Sequence, residues 1–244
     1  MQILPEPVEA VLFDWDGTLA DTVALVTAAT NEVLIAAGFR EIDEVAVHDG
    51  MRFPTAERMV HHMGRRESDP QTSALARRLA DEFYDAAERL GHLHVRLFPD
   101  VRKMLDSFAA AGLPMGLVTN NRGTTVRRLL AHLGLMGHFP VVVAEEDVSQ
   151  PKPHPEGVLA AGAALGVRVR HTVYVGDSLT DEQAAARAGC TAIGAGWPRE
   201  SVVHSGRNTF TVVFDRPSEL VDAVLDRAAR ARVVRPGGEQ DYHE

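Results

Sequence analysis

The segment Val11-Leu12-Phe13-Asp14-Trp15-Asp16-Gly17-Thr18 ends an apolar run in two aspartates, a glycine and a threonine. Side chains two apart on a strand point to one side, so a strand continued through this segment would crowd the carboxylates of Asp14 and Asp16. At about 5–6 Å and an effective dielectric near 20, two carboxylates repel by roughly 3 kcal/mol. Such a pair needs a bound cation, a shared proton or a bend in the chain. All three suit chemistry better than packing: one carboxylate can attack an electrophile while the other handles a proton.

Three more apolar runs lead into polar groups of the same character. Leu117-Val118 leads into Thr119-Asn120-Asn121, and the run at 140–144 is followed by Gln150-Pro151-Lys152-Pro153-His154-Pro155. Val173-Tyr174-Val175 leads into Gly176-Asp177-Ser178-Leu179-Thr180-Asp181. Hydroxyl and amide donors near the start of a helix favour an anion. Lys152 stands out by rarity, since of the 25 basic residues only Lys103 and Lys152 are lysines. In an arginine-rich chain a lysine is a compact point charge rather than a fork.

The elements that must carry these groups alternate. Strand-like runs at 8–14, 114–119, 140–144, 172–176 and 191–194 are separated, from the second on, by helical patterns near 100–111, 123–134, 155–165 and 181–188. Gly112, Gly134, Gly166 and Gly189 stand where those helices should stop. Alternation of this kind predicts an α/β fold with a doubly wound, mostly parallel sheet, whose ligands bind outside the carboxyl ends of the strands. The segment 20–97 breaks the alternation with helical patterns at Asp21–Ala37, 55–63 and Thr72–Leu90 and no strand signal. It reads as an inserted all-helical cap. The expected organisation is a Rossmann-like core at 1–19 and 98–231, a helical cap at 20–97 and a disordered tail at 232–244.

The four ordered motifs, DWDGT, VTNN, the lysine in PKP and GDSLTD, resemble the haloacid dehalogenase superfamily over roughly residues 8–200. Within it they are similar to the helical-cap phosphatases of the phosphoglycolate phosphatase and beta-phosphoglucomutase kind. The resemblance implies a magnesium-dependent phosphatase that hydrolyses a small phosphomonoester, phosphoglycolate-like or sugar-phosphate-like, through an aspartyl-phosphate. Carried onto this chain, it makes Asp14 the nucleophile and Asp16 the acid that protonates the leaving alcohol and then accepts a proton from water. Lys152 would neutralise phosphate charge and steady the nucleophile, and Thr119, Asn120 and the Gly17 amide would donate to phosphoryl oxygens. It also implies Mg2+ held by Asp14, Asp177 and the backbone carbonyl of Asp16, with Asp181 in support. In the loop from His48 to Pro54, Arg52 is placed to contact an anionic or polyhydroxy leaving group.

Single residues separate the variants of that family. Dehalogenating members lack an aspartate at the position of Asp16, and phosphonate-cleaving members use a cap lysine, whereas segment 20–97 contains none. A sugar-phosphate mutase on the same site stays open. So does a non-enzymatic phospho-acceptor like a response-regulator receiver, although the long insertion and Asp16 speak against it.

A net charge of -9 disfavours a nucleic-acid partner, and no apolar run approaches the length of a membrane span. The one cysteine, Cys190, excludes an internal disulfide and suits a cytoplasmic setting, as does an N-terminus without a signal-peptide pattern. The expected partner is a small phosphorylated metabolite, bound by a monomer or homodimer.

Overall fold

A computed structural model describes residues 4–51, 53–66, 68–198, 210 and 212–233. Strand β1 (Ala10–Phe13) is followed by the two-residue β2 (Ala20–Asp21) and four helices: α1 (Val23–Ala36), α2 (Glu44–Gly50), α3 (Thr55–His62) and α4 (Pro70–His94). Strand β3 (Arg96–Leu97) closes this insertion by pairing antiparallel with β2, Ala20 opposite Leu97 and Asp21 opposite Arg96. The chain then alternates through α5 (Val101–Ala110), β4 (Met115–Val118), α6 (Gly123–His132), β5 (Val141–Val143), α7 (Glu156–Leu165), β6 (Thr172–Gly176), α8 (Leu179–Ala188) and β7 (Thr191–Ala195). Strand β8 (Val212–Phe214) and helix α9 (Pro217–Val233) complete it.

Six strands form one parallel sheet in the order β5-β4-β1-β6-β7-β8. The central strands β1, β4 and β6 are buried throughout, because helices cover both faces and leave no polar alternation to keep. Alternate β1 residues serve opposite layers. Val11 and Phe13 join the larger core with Met104, Leu105 and Phe108 of α5, while Leu12 packs with Val158 of α7 and Ala184 and Ala185 of α8. The inserted helices extend the larger core through Leu25, Leu34, Met59, Leu79 and Phe83.

The α/β class, the parallel sheet and the helical insertion are those expected. The β2–β3 ribbon, α2, β8 and α9 were not, the ribbon being too short for any periodicity to register. The tail expected from 232 is helical at Arg232 and Val233, because α9 opens on Pro217 and continues through strong helix formers. Residues 234–244 and Arg52 lie outside the described residues.

Candidate active site

The parallel order brings the carboxyl ends of β1, β4 and β6 side by side, and the candidate residues leave from those ends. Asp14 still donates its backbone N–H to the Val175 carbonyl (2.9 Å), and then the chain turns. The N–H groups of Leu19 and Ala20 return to the Trp15 carbonyl (3.1 and 3.0 Å), and that of Gly17 to the Ala20 carbonyl (3.0 Å). The chain thus bends after Asp14, although Asp16 still acts on Asp14 as a like charge. The Asp16 carboxylate accepts from the Thr22 hydroxyl (2.7 Å) and the Asn121 side-chain amide (3.0 Å). A second crowding occurs among Asp14, Asp177 and Asp181, whose ligand oxygens all lie within 4.8 Å of one another.

Lys152 stands inside that cluster. Its ammonium donates to Asp14 Oδ1 and Asp181 Oδ1, both at 2.6 Å, and to the Tyr174 hydroxyl at 3.0 Å. These three bonds use its three N–H donors. Tyr174 is itself anchored by donating to the Val118 carbonyl (3.0 Å), which ties β6 to β4 beneath the lysine. The loop carrying Lys152 is held by Asn120. Its carboxamide donates to the Lys152 carbonyl and accepts from the Lys152 N–H, both at 2.9 Å.

Asp181 has no exposed surface. It is positioned by a capping box at the start of α8, a local signal written as Ser178-x-x-Asp181. Its Oδ2 accepts from the Ser178 N–H (3.1 Å) and hydroxyl (2.5 Å), leaving Oδ1 for Lys152. Asp177 is held from the other side, by the Thr18 hydroxyl at 3.1 Å, and the Thr18 carbonyl is fixed by the Trp197 indole N–H at 2.7 Å.

Gly17 has a φ of 74°, and a Cβ there would stand 2.5 Å from Asp177 Oδ2. The position thus needs glycine both for its backbone and for the approach of Asp177. Its N–H, which the resemblance aims at a phosphoryl oxygen, closes the turn on Ala20 instead. Thr119 is buried, and its hydroxyl accepts from the Asn121 N–H at 3.0 Å. The Asn120 side chain, expected to face an anion, is engaged with the backbone of Lys152.

The electrostatics follow from burial. Desolvation pushes the Asp14 carboxyl well above the usual carboxylate range, with Asp181 and Asp177 adding to the rise and Lys152 opposing it. Desolvation likewise pushes Asp177 up to about 7, helped by Asp181 and resisted by the Thr18 hydrogen bond. For Lys152, burial alone favours the neutral amine, yet the Asp14 and Asp181 carboxylates outweigh it and hold the pKa well above the ordinary value. Three clustered carboxylates thus face one ammonium and stay under-compensated. An all-oxygen donor set whose ionised carboxylates outnumber the one ammonium fits a hard divalent cation such as Mg2+.

The helical insertion is tied down beside these strand ends. The Tyr84 hydroxyl on α4 donates to Glu145 Oε2 (3.1 Å) and lies 2.8 Å from the Thr55 hydroxyl. Arg122 stacks 4.1 Å from the Tyr84 ring centroid and donates to Asp81 Oδ1 at 2.6 Å. Sequence reasoning passed over Asn121, Thr22 and Tyr174 as side chains of the site. The adjacent Asn120-Asn121 pair and a hydroxyl inside an apolar strand were the available signals.

The chain matches the family model described as haloacid dehalogenase-like hydrolase over residues 11–195. It is 36% identical over 190 residues to a phosphoglycolate phosphatase of Yersinia pseudotuberculosis, covering 77% of this chain and 80% of that protein. It is 33% identical over 208 residues to the phosphoglycolate phosphatase of Escherichia coli, covering 78% and 81% respectively. The crystal structure of CbbY from Rhodobacter sphaeroides in complex with phosphate superposes with a TM-score of 0.71 at 25% identity, covering 87% of this chain and 96% of that one. The sheet, the helical insertion, the acidic cluster and these relatives agree: the chain belongs to the haloacid dehalogenase-like hydrolases and, within them, to the phosphatases.

Proposed function

We propose that the chain is a Mg2+-dependent phosphatase of small phosphomonoesters, with 2-phosphoglycolate the first candidate, acting through an aspartyl-phosphate on Asp14. The observation that carries the reading is the Lys152 ammonium held at 2.6 Å from both Asp14 and Asp181 in an otherwise acidic cluster. The names of the relatives support phosphoglycolate, and the Rhodobacter neighbour's complex with phosphate supports a phosphorylated substrate. The residues that would hold the ion are Asp14, Asp177 and the Asp16 carbonyl, with Asp181 beside them. Bound there, Mg2+ would offset the excess negative charge and the charge of the phosphoryl group.

The steps use the chain's own groups. A carboxylate oxygen of Asp14 attacks phosphorus as the bond from phosphorus to the ester oxygen breaks, and Asp16 gives its proton to the departing alkoxide. Water then attacks the acyl phosphate, Asp16 takes the water's proton, and inorganic phosphate leaves with Asp14 restored. Asp16 is suited to both turns because Thr22 and Asn121 orient it outside the cluster that binds Lys152. Lys152 restrains Asp14 through one oxygen, and the Thr119 hydroxyl retains its proton for a phosphoryl oxygen. Asn120 acts as a positioning residue for the Lys152 backbone. No helix among the described residues is long and apolar enough to cross a membrane. The single buried cysteine supports a cytoplasmic setting.

The test is phosphate release from a panel of small phosphomonoesters, with Mg2+ and with a chelator, for the parent chain and Asp14→Asn. The expected result is metal-dependent turnover that the substitution abolishes. Turnover persisting in Asp14→Asn refutes the nucleophile, and turnover unaffected by the chelator refutes the metal.

A further inference from the structure

Arg58, on α3 of the insertion, is only 6% exposed, yet its Nε and Nη2 have no hydrogen-bond partner among the described residues. Its guanidinium carbon lies 4.6 Å from the Phe83 ring centroid, a contact that engages the face of the group and does not satisfy its edge donors. Burial lowers its pKa, and the groups that act against this are Tyr84, Asp16 and Glu145. Each of those is engaged elsewhere: Tyr84 with Glu145 and Thr55, and Asp16 with Thr22 and Asn121. The result is a buried cation with an unfilled edge, within electrostatic reach of the carboxylate assigned to the leaving oxygen. Buried charged donors are satisfied in a finished site. Among the described residues no acceptor fills that edge.

We propose that Arg58 reads the leaving group of the substrate, and that it does so by binding a carboxylate on that group. Nε–H and Nη2–H are the two adjacent, coplanar donors of a guanidinium edge, and they match the two oxygens of a carboxylate. The substrate class is therefore a phosphomonoester whose alcohol carries a carboxylate, as in the 2-phosphoglycolate proposed above. This assigns the leaving-group contact to Arg58 rather than to Arg52, and it rests on the phosphatase reading above.

The experiment compares 2-phosphoglycolate with ethyl phosphate, which has a methyl group where the carboxylate stands. It uses the parent chain, Arg58→Gln and Arg58→Lys, with their melting temperatures measured alongside. The expected result for Arg58→Gln is a loss of about a hundredfold in kcat/KM for 2-phosphoglycolate and less than threefold for ethyl phosphate, at about two decades for a lost charged fork. Arg58→Lys, which keeps the charge without the fork, should recover part of that loss. Calorimetric titration with glycolate alone should show binding to the parent and none to Arg58→Gln. Equal losses on both esters, or an unchanged preference, would overturn the assignment while leaving the phosphatase reading intact. If the parent releases phosphate from neither ester, the phosphatase reading falls, and the glycolate titration alone decides for or against Arg58.

Discussion

Replacing Lys152 by methionine keeps much of the side-chain volume and removes the one ammonium among three carboxylates. The native Nζ sits 2.6 Å from Asp14 and Asp181, with the side chain only 4% exposed. Breaking a buried ion pair from one side typically costs about 3–5 kcal/mol. A second limit comes from protonation: a carboxyl with an ordinary pKa near 4 can take up a proton at pH 7 for about 4 kcal/mol, so one stranded carboxylate costs no more than that. The expected loss at pH 7 without divalent ions is therefore about 4 kcal/mol, or about 10 °C in melting temperature for a chain of this size. The sign with pH follows. The loss ends with a carboxyl protonated in the folded variant and ionised in the unfolded chain, so it should shrink by about 1.4 kcal/mol for each pH unit below 7. Urea unfolding of parent and Lys152→Met in chelator, at pH 7 and pH 5, reads the difference directly. Saturating Mg2+ should restore part of it, while kcat stays at least a thousandfold down because Asp14 is no longer restrained. A destabilisation equal at the two pH values would refute the argument and assign the loss to packing.

Two further outcomes test the acidic cluster from other sides. Asp177, raised to about 7, binds its proton more tightly in the folded chain than in the unfolded one. The metal-free parent should therefore lose stability as pH rises from about 4 to 7, by at most about 4 kcal/mol given its partial exposure, and Mg2+ should flatten the slope. Melting curves across that range check this, and a metal-free profile that rises with pH would contradict it. Gly17→Ala forces a Cβ to 2.5 Å from Asp177 Oδ2 at a φ of 74°. It should cost about 1–2 kcal/mol for the backbone alone and raise the Mg2+ concentration needed for half-maximal activity at least tenfold. An unchanged Mg2+ requirement would show that Asp177 does not depend on this turn.

What could be read from the sequence, and what could not, divides by the distance over which each signal acts. The central strands emerge within two residues of their bounds because buried parallel strands are continuous apolar runs, and Asp14, Lys152, Asp177 and Asp181 follow from standing just beyond them. Asp181 is fixed locally, by a capping serine three residues earlier. Of the three outcomes offered for Asp14 and Asp16, the bend is visible in the fold, because the strand ends at Phe13 in a turn that Trp15 and Gly17 close. The groups that complete the site depend on distant partners. Asn121 reaches Asp16 across 105 residues, and Tyr174 meets Lys152 only because β6 passes beneath the loop.

Arg58 is the extreme case. Its helix shows nothing but an ordinary arginine, and the ring packed on its guanidinium, Phe83, comes from another helix of the insertion. Catalytic groups at strand ends can be recognised from contiguous motifs because the sheet presents them in the same way whatever the substrate. The residue that selects the substrate carries no motif, since it is defined by an unfilled edge that only the packed insertion brings into being. The chemistry of this chain is thus written along the core strands, and its specificity in the packing of α3 against α4.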